Sequence, residues 1–524
     1  MKLNKHYFYI FCISTIFTIL LVRTLFMIHV AKNYINIKQT STNSVIKDRL
    51  KITDRNGHIL VDNIESYDFY INLSKIINPI HEIEKIQKSL TTIKPETLVE
   101  KFANAKLKQQ NIVLIKKGIL YHDKKRLQFN GVLGMELEKV SKRFYVNKNL
   151  FSHILGFVST DSDGLAGIEK SYNSYLSTPE NQESLQLTVD LDVQFVLYNF
   201  LKNNIEKYNA KGGYGIVANI KTGEVIAATS LPDFDPNKPQ LITDETVFNK
   251  FSLGVYELGS IFKIFTMALA LENNWSLDRM CYREGNGYQI QGKTIRDFNT
   301  NGQSANKSFS LLDVFRFSSS ICCAKVVEEI GVLKQYELFK KVGLMEKLET
   351  DLPEIGRPIV KKSPSLIDGA VASYGYGIAV SPLHFTYAAG NLLNGHKTNL
   401  TFIKQNTHQN HQSSLEKITS NKTRTTLNEM LYYVFKNNIK MSKSNYPVGI
   451  KTATAIQQKG GVYDSKDMII SMFASFPVLN PEYVYLVGLN APYADDKNEK
   501  QIQGSVLTEM MFNLVNASVP FLNR

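Results

Sequence analysis

In the stretch GVYELGSIFKIFTMALALENNW, residues 254–275, Ser260 and Lys263 stand three positions apart at the mouth of an apolar segment. On a helix that spacing points both side chains from the same face of the first turn. A serine placed there can be a nucleophile: the positive end of the helix dipole and a nearby ammonium both favour its alkoxide, and a deprotonated lysine can take its proton. The plainer reading is an N-cap followed by a lysine on a solvated face. Spacing alone does not decide, because Ser-x-x-Lys occurs four times, at Ser44, Ser260, Ser304 and Ser414. Only Ser260 follows a glycine and leads directly into a long apolar helical run.

A substrate carboxylate needs a second set of groups. Lys221-Thr222-Gly223 reads as a hairpin turn ahead of the serine, whereas GIKTATAIQ, residues 449–457, reads as a strand after it. Alternation along that strand lets Lys451 and the hydroxyls of Thr452 and Thr454 help bind a carboxylate, while a backbone N–H supplies half of an oxyanion hole. Other chemistries find less support. His408 and His411 form His-x-x-His in a polar stretch with no acidic partners, which argues against a metal site, and no cofactor is expected. Neither Gly-x-Ser-x-Gly nor a P-loop pattern occurs. Four cysteines, Cys12, Cys281, Cys322 and Cys323, are too few for a disulfide framework, and Cys322 and Cys323 read as small apolar helix residues.

In context these residues resemble the class B penicillin-binding proteins. YELGSIFKIFTMALALE is similar to their nucleophile region, and DRNG (54–57), HILGFV (153–158), GLAGIEKSYNSYL (164–176), LTVDLDVQ (187–194), KTGEVIAATSLPDFDPN (221–237) and SYGYGIAVSPL (373–383) agree in order. Together they span most of the chain and look like the division-type branch. The resemblance implies a peptidoglycan D,D-transpeptidase that acts on D-Ala-D-Ala stem peptides and is inhibited by β-lactams. Ser260 would be the nucleophile and Lys263 its base, with the N–H groups of Ser260 and Thr454 as the oxyanion hole. Thr452 and Thr454 would hold the carboxylate, and Ser318, in FRFSSSICCAKV, would relay protons toward Lys451. Two lysines buried close together would depress at least one pKa.

The sequence departs from the family's pattern at several positions. Ser320 stands where the Ser-x-Asn motif has its amide, which gives a shorter donor, and the literal Ser304-Ala305-Asn306 lies in a polar stretch without a flanking helix. Ala453 replaces the glycine of Lys-Thr-Gly, Leu258 a proline, and the Arg-Gly expected before the first strand reads Arg49-Leu50. A weakened homologue acting as a scaffold, and a carboxypeptidase or penicillin sensor, are therefore the alternatives.

The elements that must position these groups follow from the pattern of the rest of the 524 residues. An apolar run over 7–30, interrupted by Arg23, is long enough to span a bilayer core of roughly 30 Å and lacks a small-x-small cleavage site. Residues 1–31 are thus expected to be a cytoplasmic tail and single transmembrane anchor in the inner membrane, with the bulk in the periplasm. Alternation around Asn56-Gly57 opens a β-rich pedestal, or dimerisation-type, module over 32–184. Strand pairs flanking a helical block argue for a sheet with helices packed on it over 185–524, and the resemblance implies that this is a mixed α/β transpeptidase domain, an antiparallel sheet with helices on both faces like the serine β-lactamases. Helical pattern runs over 260–275 and 308–342, and 400–422 reads as a loop or insertion. A net charge of +13 is spread over Lys-rich solvated faces with no basic block interleaved with aromatics, so a nucleic-acid partner is not expected. The resemblance adds divisome proteins and a membrane glycosyltransferase as partners.

Overall fold

The structure, a computed structural model of the full chain, describes residues 48–178, 184–285, 287–297, 307–404, 414–437, 446–459, 462–490 and 504–522, together with 15, 18 and 20–24. The apolar run over 7–30 lies outside these residues apart from 15, 18 and 20–24, which are helical. Among the described residues no helix is long and apolar enough to cross a membrane. Ser44, the Ser304-Ala305-Asn306 triplet, His408 and His411 also lie outside them.

The Asn56-Gly57 hairpin forms as its sequence predicts. Strand β1 (Lys51–Thr53) turns through Gly57, at φ +87°, into β2 (Ile59–Asn72), with Ile52 opposite Val61. The chain divides into two units, one of 1–48 and 65–141, the other of 49–64 and 142–524. In the first, helices α1 (Pro79–Ser89) and α2 (Pro95–Leu107) each begin on a proline, whose missing N–H and fixed φ suit a first helical position. Strand β3 (Ile112–Ile119), helix α3 (Tyr121–Phe129) and strand β4 (Met135–Tyr145) follow. Ile83, Ile86, Leu98 and Phe102 of the helices share a core with Phe69, Ile71, Val113 and Ile115 of the strands. The module expected to be β-rich is thus as helical as it is stranded.

In the larger unit, β5 (Ser184–Gln186) runs parallel to β1. Arg49, the residue before the first strand, is buried and gives two hydrogen bonds to Glu169, at 2.7 and 3.1 Å, while Arg143 reaches the other Glu169 oxygen at 2.6 Å. A buried carboxylate shared by two guanidiniums is stable only because all three groups are paired. Helix α4 (Leu191–Lys207) starts at Asp190, whose carboxylate caps it by accepting from the N–H groups of Asp192 and Val193.

Strands β6 (Gly212–Asn219) and β7 (Val225–Leu231) form the hairpin with Lys221-Thr222-Gly223 at its turn, where Thr222 N–H bonds to Asn219. After them come α5 (Lys263–Glu272), α6 (Leu311–Phe317), α7 (Ser320–Ile330), α8 (Pro382–Asn394), the strands β8 (Gly449–Lys459), β9 (Val462–Phe476) and β10 (Tyr483–Asn490), and α9 (Gly504–Leu522). The strands form one antiparallel sheet in the order β8-β9-β10-β6-β7. Its period of two is visible in the core. Val217, Met472, Tyr485 and Val487 pack with Val193, Leu197, Leu507 and Met511 of α4 and α9. Ile216, Phe473, Val484 and Leu486 pack on the other face with Phe262, Phe265 and Phe385. Helices therefore cover both faces, as expected.

Three local readings change. The helical block expected over 308–342 is interrupted at Ser318-Ser319 and at Gly331, and Lys307–Ser310 is a strand paired with Met280–Arg283. Part of the expected loop, Ser414–Lys417, is a strand against His396–Lys397. Cys281 and Cys322 form a disulfide, which overturns the reading of Cys322 as a plain apolar helix residue. The Met280–Arg283 strand lies along α7 and brings the two Cα atoms to 6.0 Å, a contact made by tertiary packing across 41 residues that no spacing rule signals. Cys323 is a free, buried thiol.

Candidate active site

Ser260 sits in a single tight turn, Gly259–Phe262, that runs straight into α5. The turn begins with Gly259 at φ +60°, a conformation that costs residues with a Cβ about 1 kcal/mol or more. A Cβ there would also come within 3.0 Å of Ala455 Cβ and 3.6 Å of Ala453 Cβ on β8, so glycine lets the nucleophile turn lie against the strand. The extra methyl of Ala453 is accommodated for the same reason. Gly259 N–H donates to Gly375 O at 3.1 Å, and a Cβ at Gly375 would meet Gly259 O at 2.1 Å, so the SYGYG loop clamps the turn from the other side. Phe262 and Phe265 stack edge-on with each other and pack on Phe385 at 5.5 and 5.7 Å between ring centres, fixing the helix behind the serine.

Lys263 is fully buried. Its Nζ lies 3.0 Å from Ser260 Oγ, 2.5 Å from Ser318 O, 3.0 Å from Ser318 Oγ and 3.2 Å from Ser320 Oγ. Four oxygens surround a nitrogen that has three protons when charged. A neutral amine there would donate to two of them and accept from a hydroxyl. Burial lowers the Lys263 pKa, against smaller opposing effects of Cys323 and Asp297. Lys451, 6% exposed, is pushed down to about 7 by burial and then by the charge of Lys263. The Ser318 hydroxyl bridges them, at 3.0 Å from each ammonium nitrogen.

Ser318 closes α6 in a left-handed conformation, φ +60° and ψ +43°, which is rare for serine and is held by its bonds to both lysines. Ser319 then caps α7, its Oγ accepting from Cys322 N–H at 3.2 Å. Ser320 Oγ accepts from Lys263 and keeps its own proton to donate. It therefore retains the polarity of an amide that accepts on one side and donates on the other, with a shorter reach.

On β8 the free edge faces this cluster. Ile456 N–H points away from β9 and donates to Tyr376 Oη at 3.1 Å. By the period of two, Thr454 N–H points the same way, and Thr454 O lies 3.6 Å from where a Cβ of Gly259 would be. Thr452 and Thr454 are half buried and alternate with Lys451, Ala453 and Ala455, which are buried. Ser260, Lys263, Ser318, Ser320 and Lys451, predicted from three separate stretches, are thus joined in one hydrogen-bonded group, and Thr452 and Thr454 lie on the strand beside it.

Sequence reasoning missed several supporting residues. Asp297 accepts from Ser319 Oγ at 2.9 Å, Ser320 N–H at 2.6 Å and Ile321 N–H at 3.1 Å. Glu257 accepts from Gly377 N–H at 2.7 Å, and its carbonyl accepts from Gln457 Nε2 at 2.9 Å. SYGYG was legible as a matching segment, although its part in the site was not. Asp297, in TIRDF, carries no local signal, since every group that donates a hydrogen bond to it lies more than twenty positions away.

Residues 213–511 match the family profile of the penicillin binding protein transpeptidase domain, and residues 47–193 match that of the penicillin-binding protein dimerisation domain. The chain is 29% identical over 347 residues to a protein of Caulobacter vibrioides named probable peptidoglycan D,D-transpeptidase FtsI, a match spanning 66% of this chain and 57% of that one. It is 27% identical to the peptidoglycan D,D-transpeptidase FtsI homolog of Mesostigma viride, over 95% of this chain and 93% of the relative. Among solved structures, penicillin binding protein 2X from Streptococcus thermophilus superposes with a TM-score of 0.71 at 20% identity, covering 91% of this chain and 80% of that one, which is a likeness of fold.

Proposed function

The chain belongs to the penicillin-binding protein transpeptidase family, and from that premise we propose that it is a membrane-anchored peptidoglycan D,D-transpeptidase working through an acyl-enzyme on Ser260. One observation carries the reading: the buried Lys263 Nζ lies 3.0 Å from Ser260 Oγ, and Ser318 Oγ continues the chain of polar contacts to Lys451. In this reading Ser260 Oγ attacks the carbonyl of the penultimate D-Ala of a donor stem peptide while its proton passes to neutral Lys263. The N–H groups of Ser260 and Thr454 receive the developing oxyanion. The carbon–nitrogen bond then breaks, and the departing D-Ala nitrogen takes a proton through Ser318, which stands between the two lysines. An amine of a neighbouring stem attacks the ester carbonyl, surrenders a proton along the same route, and Ser260 recovers its own from Lys263.

The remaining groups read the donor. The hydroxyls of Thr452 and Thr454, with the field of Lys451, hold its terminal carboxylate, and Ser320 Oγ donates to the amide carbonyl on the acyl side. Ser320 and Ala453 keep the polarity and the spacing of the groups they replace, which favours a working enzyme over an inert scaffold. The Cys281–Cys322 disulfide supports an oxidising compartment outside the cytoplasm. The apolar run over 7–30 would supply the inner-membrane anchor, with the catalytic unit in the periplasm. Work at the division septum, beside a membrane glycosyltransferase and divisome proteins, rests on the resemblance to the division-type branch.

The test is gel labelling of the full chain in detergent with a fluorescent penicillin, beside Ser260→Ala. Labelling that vanishes in the variant supports the nucleophile, and an unlabelled parent chain overturns it. Mass spectrometry of a D-Ala-D-Ala stem peptide incubated with and without an amine acceptor separates the reactions. A cross-linked product supports transpeptidation, whereas release of D-Ala alone favours a carboxypeptidase.

A further inference from the structure

The turn that carries Ser318 and Ser320 is an unstable piece of chain. It joins a helix ending in a left-handed serine to a helix whose first N–H groups have no partners within the helix. Ser319 Oγ satisfies only Cys322 N–H. The N–H groups of Ser320 and Ile321 both donate to one oxygen of Asp297, at 2.6 and 3.1 Å, and the hydroxyl of Ser319 donates to the other at 2.9 Å. A carboxylate more than twenty residues away in sequence thus completes the N-terminal cap of α7, at the end of the helix where the macrodipole favours negative charge. Asp297 is 9% exposed, and Arg283 Nε is 3.7 Å from its second oxygen.

We propose that Asp297 is a positioning residue for acyl transfer, its carboxylate holding the turn so that Ser318 Oγ stays between Lys263 and Lys451 and Ser320 Oγ stays on Lys263. The proposal rests on the reading of Ser260 as the nucleophile. Asp297 touches no reacting atom. It acts through the serines, and its charge also reaches Lys263. The groups that bear on Lys263 are Lys451 from β8, the Cys323 thiol from α7 and Asp297 itself, with Arg283 behind it. Burial lowers the Lys263 pKa and Asp297 opposes that shift. Removing the negative charge therefore lets the neutral amine persist to lower pH.

Two variants of the full chain separate geometry from charge, read by the second-order rate of acylation with a fluorescent penicillin across pH, beside the thermal midpoint. Asp297→Ala leaves three donors without their acceptor, and its plateau rate is expected to fall about ten- to a hundredfold. Asp297→Asn keeps one acceptor oxygen for Ser320 and Ile321. Its plateau is expected to stay within a few-fold of the parent, while the acid limb of its profile moves to lower pH. A lowered thermal midpoint with an unchanged plateau in Asp297→Ala and an unmoved limb in Asp297→Asn would overturn the proposal. Should Asp297→Ala fail to fold, the limb of Asp297→Asn decides alone, and an unmoved limb rejects the idea. If the parent itself takes no label, the reading of Ser260 falls and this inference with it, a result distinct from a labelled parent with indifferent variants.

Discussion

The two walls of the site are built on different terms. The inner wall, made of Lys263, Ser318 and Lys451, is two buried lysines bridged by a half-buried serine, and each group in it has at least two polar neighbours. The outer wall, made of Ser320 and the β8 edge, sets the half-buried Ser320, Thr452 and Thr454 around the buried Ala453, and it is here that Ser320 and Ala453 depart from the family's usual letters. Altering a residue of the inner wall strands several buried partners at once, at about 1–3 kcal/mol for each unsatisfied group. Altering a residue of the outer wall changes one contact. The difference teaches that the outer wall can vary while the proton-handling chemistry persists.

The sharpest way to break this contrast is Lys451→Met, which removes one of the two buried amino groups. Acylation is expected to fall about a hundredfold or more, because Ser318 loses the partner that completes its relay. Stability should move the other way with pH. Lys451 has its pKa lowered from 10.5 to about 7 in the folded chain. Between those values the unfolded chain holds the extra proton, so folding stability rises with pH across that window and is lost as pH falls toward 7. The Lys451→Met chain lacks this dependence. Its stability relative to the parent, read from thermal melts, should therefore be greater at pH 7 than at pH 10, by a difference on the order of a few kcal/mol. Parallel melting curves at the two pH values would show that Lys451 is not held at a cost in the folded state.

An intermediate effect is expected between the walls, at the disulfide that ties Met280–Arg283 to α7 just beyond Ser320. Replacing both cysteines, as Cys281→Ser with Cys322→Ser, removes a link closing 41 residues and is expected to cost about 2–4 kcal/mol, read as a lower denaturation midpoint. Acylation should fall by less than in Lys451→Met, since Asp297 and Lys263 still hold the turn. A larger loss of acylation than of stability would move the disulfide into the inner wall's account.

How much of this was legible in the sequence follows the same division. Ser260, Lys263 and Lys451 could be found from their context, a glycine and an apolar helical run around the first two and an alternating strand around the third, together with the family resemblance, and Gly57 because turn chemistry is local. A sheet with helices packed on it was legible from strand pairs flanking a helical block, and its antiparallel order with helices on both faces was what the resemblance implied. Asp297, Tyr376 and the Cys281–Cys322 pair were not, because their partners lie far away in sequence and no local preference marks them. The break at Ser318 was hidden for a related reason: the bonds from Lys263 and Lys451 that help hold the serine in its left-handed conformation come from residues far away in sequence.

The smallest effect is expected at Ala453→Gly, which restores the family's usual residue on the outer wall. Ala453 is 5% exposed, and its methyl lies 3.6 Å from where a Cβ of Gly259 would be, so with glycine at 259 it leaves the nucleophile turn where it is. Glycine would release backbone entropy in the unfolded chain and remove a fitted methyl, at about 0.5–1 kcal/mol of stability, while acylation changes by no more than about two- to threefold. The measurement is the acylation rate beside a denaturation midpoint. A tenfold gain in rate would mean that the methyl holds β8 away from Ser260 after all. The outer wall would then be an impaired surface rather than a tolerant one, and the contrast between the walls would mark where activity had been lost.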